Sequence, residues 1–482
     1  MSNAIKKYVS RYVVPFYFDY QNEGYTKIVK CFQEDNRDYK ILGLPKDCRW
    51  VKRGFWENYK TDDLSQPEMD IYTYLLEILK ETEETSLGNL GTSFVLKTNG
   101  SLFNLQYVKP NQNEEINFKC NDAGILLFRN GIGFIWYDIE FGKSISVEEY
   151  VNFQHDFKEL ARTHSELFRK KTGKDKYDIF CMGKWIVNVF NATNLGIKFW
   201  AERKVEMDNS GQEMLIPDKS LLFQYMFIDT AEEKERIDLA FKVANGYDMK
   251  YNSPSTLKSE IYEPFGNTCF YTSKTGTAYV VSDNESNATF FEGNFSGKYI
   301  RDYFFIYVLL LYQTYSSAHY SRLLTNIPAE IQAIEGDAKH IELLENLYSQ
   351  INLFLVKSAY DSVSNIQHQN GAYVYGKKAL RIEEDIKSLT VGLEALRGIE
   401  VEHKNKAEQE LEDKKDRALN LGLVIFGFLV VFSVAIDALN LVDWFNDNGH
   451  KLGVWHCMSL VVIAILTIFM FVVLVVNTRK RK

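Results

Sequence analysis

The sequence predicts an α/β cytoplasmic domain, followed by a helical domain, a long stalk helix and a C-terminal two-helix transmembrane hairpin. Segments rich in aromatic and β-branched residues alternate with helical patterns in the N-terminal half. One helical pattern continues from about residue 376 into the C-terminal region. Two apolar runs there, 418–439 and 454–476, are each long enough to cross a bilayer, which needs roughly 20 apolar residues as a helix.

The predicted α/β domain covers residues 1–298. Its strand candidates are 12–18, 93–96, 102–108, 124–128, 132–141, 221–227 and 278–281. Asn130 and Gly131 predict a hairpin between two of these strands, because Asn-Gly supplies the positive φ angles of a tight turn. Helices are predicted at 69–80 and 147–169 from apolar residues spaced three and four apart, and loops at 248–254 and 283–297.

The helical domain is predicted over residues 299–375, with a buried helix at 299–324 and a second helix that Pro328 opens. A single helix is then predicted over 377–439, through a stalk at 376–417. Apolar residues recur along it at spacings of four and three, namely Ile382, Ile386, Leu389, Leu393 and Leu396. This seam indicates either helices that associate along their length or one helix lying against its own domain.

The charges predict the orientation of the hairpin. Lys414, Lys415 and Arg417 precede the first span, and the basic tail 477–482 follows the second. Positive residues that flank short loops stay in the cytoplasm, so both basic ends are expected inside and the loop 440–453 outside. The N-terminus has no apolar signal-peptide segment. These features predict a multi-pass protein of the bacterial inner membrane with both termini cytoplasmic.

Composition narrows the function classes. The net charge is −8, and the five basic and three acidic residues from Ala418 onward leave −10 on the preceding body. An acidic body argues against direct nucleic-acid binding, which relies on neutralising phosphates, but it leaves room for a small nucleotide. The six cysteines form no C-x-x-C pair, and no zinc, nucleotide-loop or serine-nucleophile motif is present. The sequence therefore predicts a protein that is not an enzyme.

One face of the first span is predicted to line a pore. Small residues let helices approach closely, and an amide in a span prefers the bundle interior. The residues of this face are Asn420, Val424, Gly427, Val431, Val434 and Ala438. The alternative is a plain packing face between the two spans. Because two helices enclose no lumen, transport would require a homo-oligomer, most simply a ring.

The C-terminal layout resembles the CorA family of divalent-cation channels over roughly residues 300–482. That family ends in a stalk helix, a first span closing on Gly-Met-Asn, a short outer loop, a second span and a basic tail. Here Ala438, Leu439 and Asn440 stand at the Gly-Met-Asn positions, followed by the acidic loop residues Asp443 and Asp447. These five residues form the predicted selectivity loop, and the departure from Gly-Met puts magnesium selectivity in doubt.

The resemblance implies a CorA-like funnel, a homopentamer around a pore lined by the first span in the lipid bilayer, and Mg²⁺ as a candidate cation. The chain looks most like a divergent branch that accompanies type III CRISPR systems. That branch implies an effector gated by an adenylate second messenger, such as SAM-AMP or a cyclic oligoadenylate.

A nucleotide site needs cations for phosphate and aromatic faces for the base. The densest cluster of both residue types is Arg49, Trp50, Lys52, Arg53 and Trp56, with Arg301 as a second candidate. All six are also ordinary packing residues.

Three functions follow from the sequence. The first is an oligomeric membrane channel or effector of an antiviral system, gated by a cytoplasmic ligand and acting by ion permeation or membrane disruption. The second is a housekeeping magnesium or other divalent-cation transporter. The third is a non-conducting, membrane-anchored sensor or scaffold.

Overall fold

The fold is that of a computed structural model. It describes residues 4–20, 24–34, 48–55, 71–79, 90–109, 115–161, 167–173, 176–191, 196–207, 212–229, 231–283, 288–333, 337–358 and 360–447. The chain divides into two compact units. Unit 1 comprises Met1–Asn326 and Ser349–Leu393, and unit 2 comprises Ile327–Tyr348 and Glu394–Lys482.

The described strands are β1 (Ile5–Tyr17), β2 (Arg49–Lys52), β3 (Gly91–Lys97), β4 (Phe103–Val108), β5 (Glu115–Phe128), β6 (Ile132–Phe141), β7 (Phe168–Lys171), β8 (Tyr177–Ile179), β9 (Lys198–Phe199), β10 (Glu202–Met207), β11 (Gln212–Pro217), β12 (Leu221–Ile228), β13 (Thr268–Ser273) and β14 (Gly276–Ser282). The described α-helices are α1 (Gly24–Gln33), α2 (Thr73–Leu76), α3 (Val147–Phe157), α4 (Met182–Asn191), α5 (Glu233–Asn245), α6 (Phe295–Lys298), α7 (Phe304–Ala333), α8 (Asp337–Ser358), α9 (Gln367–Leu380) and α10 (Ile382–Asp447). Two 3₁₀ turns, Glu77–Leu79 and Leu257–Glu260, and two π-helical turns, Phe290–Asn294 and Tyr299–Tyr303, complete the described helical structure.

A twelve-stranded mixed sheet forms the centre of unit 1. Its main order is β13-β14-β12-β1-β6-β5-β4-β7-β8, with β3 beside β5, β2 beside β3, and β9 beside β1. Only β12 and β14 are parallel among its described strand pairs, and α5 lies in the chain between them. The strands β10 and β11 form a separate two-stranded hairpin. The aromatic and β-branched stretches of the sequence thus supply the strands of one large sheet.

The turn between β5 and β6 confirms the predicted hairpin. Gly131 adopts a φ of 83°, and its N–H donates to the Phe128 carbonyl at 3.1 Å. A side chain at Gly131 would also collide with the Tyr20 ring. Both the positive φ angle and the lack of space therefore favour glycine at this position. The predicted strand 132–141 coincides with β6.

One face of the sheet packs against α3. A capping box starts this helix: the Glu149 N–H donates to Ser146 Oγ at 3.3 Å, and the Ser146 N–H donates to Glu149 Oε2 at 3.0 Å. Buried polar groups then link helix and sheet, since Tyr12 Oη donates to Gln154 Oε1 at 2.9 Å. Tyr150 Oη likewise donates to Gln224 Oε1 at 2.7 Å. These bonds satisfy polar groups that would otherwise be costly to bury.

The opposite face is covered by α7 and the π-helical turn before it. Arg11 of β1 is buried there, with its guanidinium 4.1 Å from the Trp136 ring and 4.2 Å from the Phe304 ring. Asp138, directly opposite on β6, accepts both Arg11 Nε and Nη2 at 2.6 Å. A bidentate carboxylate and two aromatic faces together make the buried charge tolerable.

Several predicted helices end or begin elsewhere. The prediction at 147–169 is wrong beyond Phe157, because residues 168–171 form β7 and pair with β4. The predicted loop at 283–297 is wrong at its end, where a π-helical turn and α6 form. Pro328 lies inside α7 and does not open a new helix. The single helix predicted over 377–439 is interrupted at Arg381, which separates α9 from α10.

The apolar seam of α10 is buried within this chain. Ile382, Leu389, Leu393 and Leu396 are nearly inaccessible to solvent. Within unit 1, Gly392 lies so close to Leu324 that a side chain there would come within 2.8 Å of its Cδ1. The first part of the seam therefore matches the interpretation of a helix lying against its own domain.

The predicted transmembrane hairpin is wrong. Among the described residues, no helix is both long enough and apolar enough to cross a membrane. The membrane-protein fold class and the inner-membrane location depended on this hairpin and are corrected with it. The second run, 454–476, and the tail, 477–482, lie outside the described residues.

Unit 2 contains the end of α7, the first part of α8 and α10 from Glu394 onward. Lys404 Nζ of α10 lies 2.7 Å from Glu345 Oε1 of α8 and 2.8 Å from Glu400 Oε1 one turn away. All three side chains sit at the surface or near it, so these ion pairs add little stability. The predicted loop 440–453 is helical as far as Asp447.

The Arg11–Asp138 pair gives a stability prediction. Asp138→Ala leaves the Arg11 guanidinium buried without its carboxylate and is expected to lower the free energy of unfolding by about 3 kcal/mol. The double variant Arg11→Met, Asp138→Ala removes both charges and should be less destabilised than the single variant in urea unfolding. Arg11→Met alone completes the comparison. If the double variant loses as much unfolding free energy as Arg11→Met and Asp138→Ala lose in sum, the two residues are not coupled.

Candidate functional site

The described members of the predicted nucleotide cluster lie on β2 and immediately after it. Arg49 and Lys52 lie on β2, where successive side chains point to opposite faces. Trp50 is buried and packs edge-on against Phe32, with ring centroids 5.4 Å apart. Arg53 follows the strand, and its N–H donates to the Ser93 carbonyl. Trp56 lies outside the described residues.

Arg301 is held inside the fold. It lies in the second π-helical turn, it is 3% exposed, and its Nη2 donates to Asp302 Oδ2 at 3.0 Å. Asp302 also accepts from Gln369 Nε2 at 3.2 Å, which ties the turn to α9. A guanidinium committed to a buried carboxylate is poorly placed to receive a phosphate.

The described residues of the predicted pore face are less exposed to solvent than their neighbours on α10. Asn420, Val424 and Gly427 are half-buried, whereas the described apolar residues around them on α10 are exposed. The remaining predicted pore and selectivity-loop side chains are outside the described set: Val431, Val434, Ala438, Leu439, Asn440, Asp443 and Asp447.

A different set of residues forms a cleft in unit 1, referred to here as the α7 cleft. Its volume is about 380 Å³. It lies between α7, the turn that joins β13 to β14, the residue after β9, and the junction of α9 with α10. Its lining residues are Trp200, Lys274, Leu311, Thr314, Tyr315, Ala318, Leu380, Arg381 and Asp385.

The aromatic wall of the α7 cleft is fixed by the sheet. Tyr17 at the end of β1 pairs with Lys198 of β9. Trp200 is the first residue after β9, so this pairing holds it beside the end of β1. The Trp200 ring meets the Tyr315 ring edge-on at 4.9 Å and remains 36% exposed. An exposed indole held on a second aromatic ring presents a rigid face on which a planar ligand can stack.

Arg381 closes the cleft at the junction of the two helices. Its φ of 59° makes it the one non-glycine residue with positive φ in the described chain. Its N–H donates to the Lys378 carbonyl and ends α9, while its own carbonyl accepts the Asp385 N–H at 3.0 Å and starts α10. The left-handed conformation costs an arginine roughly 1–2 kcal/mol, and such strain collects at functional sites.

The charges in the α7 cleft favour an anion. Lys274 and Arg381 bring two positive charges, and Asp385 brings one negative charge. Partial burial raises the pKa of Asp385, and the neighbouring Lys274 and Arg381 charges oppose that rise. A second cavity of about 370 Å³ shares Lys274 and adds Lys378 and Glu260, so its lining carries two positive charges and one negative charge.

A buried histidine lies next to the aromatic wall. His319 of α7 is 5% exposed, and neither ring nitrogen has a hydrogen-bond partner among the residues described. Its ring lies 6.3 Å from those of both Tyr17 and Tyr20. Burial, together with the charge of Arg322, lowers the pKa of His319 to about 4.

Sequence reasoning missed the α7 cleft. Its cations and rings, at Trp200, Lys274, Tyr315 and Arg381, come from four places in the chain and form no local motif. No sequence signal marks Arg381 as left-handed, because glycine and asparagine are the usual residues in that conformation. In the described part of the chain, no group of three or more His, Cys, Asp or Glu side chains is arranged to hold a metal ion.

Comparisons with protein-family models, curated proteins and solved structures find no match to this chain. The CorA resemblance therefore rests on the C-terminal residues quoted above and stays a prediction.

The strain at Arg381 can be measured. Arg381→Gly relieves the left-handed conformation, and Arg381→Ala retains it while removing the same side-chain charge. We expect the glycine variant to unfold with a free energy about 1 kcal/mol higher than the alanine variant. Equal stabilities in urea unfolding would mean that the junction is not strained.

The buried His319 gives a pH prediction. Because its folded pKa of about 4 lies below the ordinary value of 6.5, the unfolded chain binds the proton first as the pH falls. Stability should therefore be complete above pH 6.5 and decline by up to about 3 kcal/mol as the pH approaches 4. His319→Phe removes this titration and should flatten the acid limb of the unfolding curve. An unchanged acid limb would contradict the assignment.

Proposed function

We propose that unit 1 is a receptor for a small phosphorylated nucleotide-type ligand, bound in the α7 cleft, and that binding acts on the junction of α9 with α10. The observation behind this proposal is the convergence of the Trp200 and Tyr315 rings with Lys274 and Arg381 around one cavity.

The chemistry of the cleft supports such a ligand. Base stacking on an aromatic side chain contributes about 1–3 kcal/mol, and Trp200 offers an exposed ring for it. Arginine binds phosphate through two parallel hydrogen bonds, and lysine binds it as a point charge. A cavity of about 380 Å³ lies within the usual range of small-molecule sites, about 300–1,000 Å³. The acidic net charge of −8 favours a small ligand over a long nucleic acid.

Arg381 can couple ligand binding in the α7 cleft to the conformation of the junction between α9 and α10. Its side chain lines the cleft, and its backbone ends one helix and starts the next. Lys377 of α9 and Glu383 of α10 form an ion pair across this junction, with Nζ and Oε1 3.3 Å apart. A ligand shifts a conformational equilibrium only by binding one state better than the other. A phosphate on Arg381 would favour the state in which this residue is left-handed.

The ligand class proposed is an adenylate-type second messenger, as the CorA resemblance implies; SAM-AMP and the cyclic oligoadenylates are candidates of that class. The proposal contains no catalytic step. It includes neither ion permeation nor membrane disruption, because both depended on the transmembrane hairpin. Homo-oligomerisation, with five subunits expected, remains a prediction that a mass measurement of the intact assembly can test.

Calorimetric titration with 5′-AMP tests the receptor proposal. The wild-type chain should bind, and Trp200→Leu should weaken binding by about 1–3 kcal/mol through the lost stacking face. Arg381→Gln should weaken it by about 1.5–3 kcal/mol through the lost charged hydrogen bonds.

Lys250→Gln is the matched control, because it removes one exposed positive charge elsewhere in unit 1. Its affinity for 5′-AMP should equal that of the wild type. Absence of binding to the wild type, or undiminished binding to both cleft variants, would overturn the proposal.

A further inference from the structure

We infer that Arg322 forms a second anion subsite at the far end of the α7 cleft, and that the ligand carries anionic groups on both sides of its stacked ring. This inference rests on the proposed function and deepens it, because it distinguishes a nucleotide with one phosphate from one with phosphates at both ends.

The helix places Arg322 on the cleft side of α7. Residues three, four and seven apart share one face of a helix, and the cleft-lining residues Leu311, Thr314, Tyr315 and Ala318 follow that spacing. Arg322 comes four residues after Ala318 and continues the same face. The rise from Thr314 to Arg322 is about 12 Å, so Arg322 continues this face beyond the α7 residues that line the cleft.

A second chain of contacts leads to the same place. The Trp200 ring meets the Tyr17 ring edge-on at 6.0 Å. The Arg322 guanidinium lies over that Tyr17 ring at 4.5 Å and donates from Nη1 to the Tyr17 hydroxyl at 3.0 Å. Trp200 therefore contacts Tyr315, which lines the cleft with Lys274 and Arg381, and also Tyr17, which holds Arg322.

Arg322 is suited to receive an anion. Its side chain is exposed, and it forms no ion pair with an acidic side chain among the described residues. Tyr17 orients the guanidinium through one of its five N–H groups, and the remaining donors can make the fork that matches a phosphate. Lys198, paired with Tyr17 across β1 and β9, adds a further exposed positive charge nearby.

The chemistry of the ligand follows from this order of groups. A nucleoside phosphorylated at both its 3′ and 5′ positions fits this order of groups, because its base can stack on Trp200 while its two phosphates extend from the ribose in different directions. It can be a free bisphosphate or one unit of a short linear or cyclic oligonucleotide. A nucleoside monophosphate would use only the Lys274–Arg381 end.

The test compares two probes, 5′-AMP and adenosine 3′,5′-bisphosphate, by calorimetric titration of the full chain. The wild type should bind the bisphosphate at least about tenfold more tightly than 5′-AMP, the gain expected from added charged hydrogen bonds. Arg322→Gln should remove that gain and leave the affinity for 5′-AMP unchanged. Arg322→Lys keeps the charge and should retain part of the gain, while Lys250→Gln should behave as the wild type.

Each contrary outcome has a distinct meaning. Equal affinity of the wild type for the two probes overturns the second subsite and leaves the receptor proposal standing. A gain that survives Arg322→Gln, or an equal weakening of both probes by that variant, also overturns the second subsite alone. Failure of the wild type to bind either probe overturns the proposed function and the subsite with it.

Discussion

The packing of α7 against one face of the large sheet determines where the other features of unit 1 lie. Aromatic contacts dominate this packing: the ring centroids of Phe128 and Tyr312 lie 4.4 Å apart, and those of Phe223 and Tyr307 lie 5.6 Å apart. The buried Arg11, between Trp136 and Phe304, adds a charge that must stay paired with Asp138. A contact built from many rings and one buried ion pair tolerates little sliding, because each ring fits only one arrangement.

The α7 cleft is a consequence of that contact. Four residues of α7, namely Leu311, Thr314, Tyr315 and Ala318, form one wall of this cleft. The end of β1 brings Tyr17 and Trp200 to the same groove through the short pairing with β9. A rigid sheet and a rigid helix therefore present the rings and the guanidinium group at fixed spacing, which lowers the entropic cost of binding a ligand.

Arg381 lines this cleft and is also the one non-glycine residue with positive φ in the described backbone. The chain passes there from α9 into the 66-residue α10. A residue that costs energy in its present conformation is a natural place for a ligand to stabilise one state over another. The buried seam of α10, from Ile382 to Leu393, begins at the next residue. A conformational change at Arg381 would therefore alter the packing of that seam first.

Local patterns in the sequence predicted seven of the fourteen described strands, the hairpin at Asn130–Gly131 and the helical character of the C-terminal region. These features follow from local patterns, since side-chain period and turn chemistry act over a few residues. The helical predictions failed at Phe168 and Arg169, which pair with β4, and at Arg381, whose left-handed conformation ends one helix and precedes the next. The run 418–439 was predicted as a span from apolar length alone, and among the described residues no helix meets that requirement. Only the tertiary structure brought Trp200, Lys274, Tyr315 and Arg381 together around one cavity. Convergence of distant residues depends on how helices pack on the sheet, and no local pattern in the chain encodes that packing.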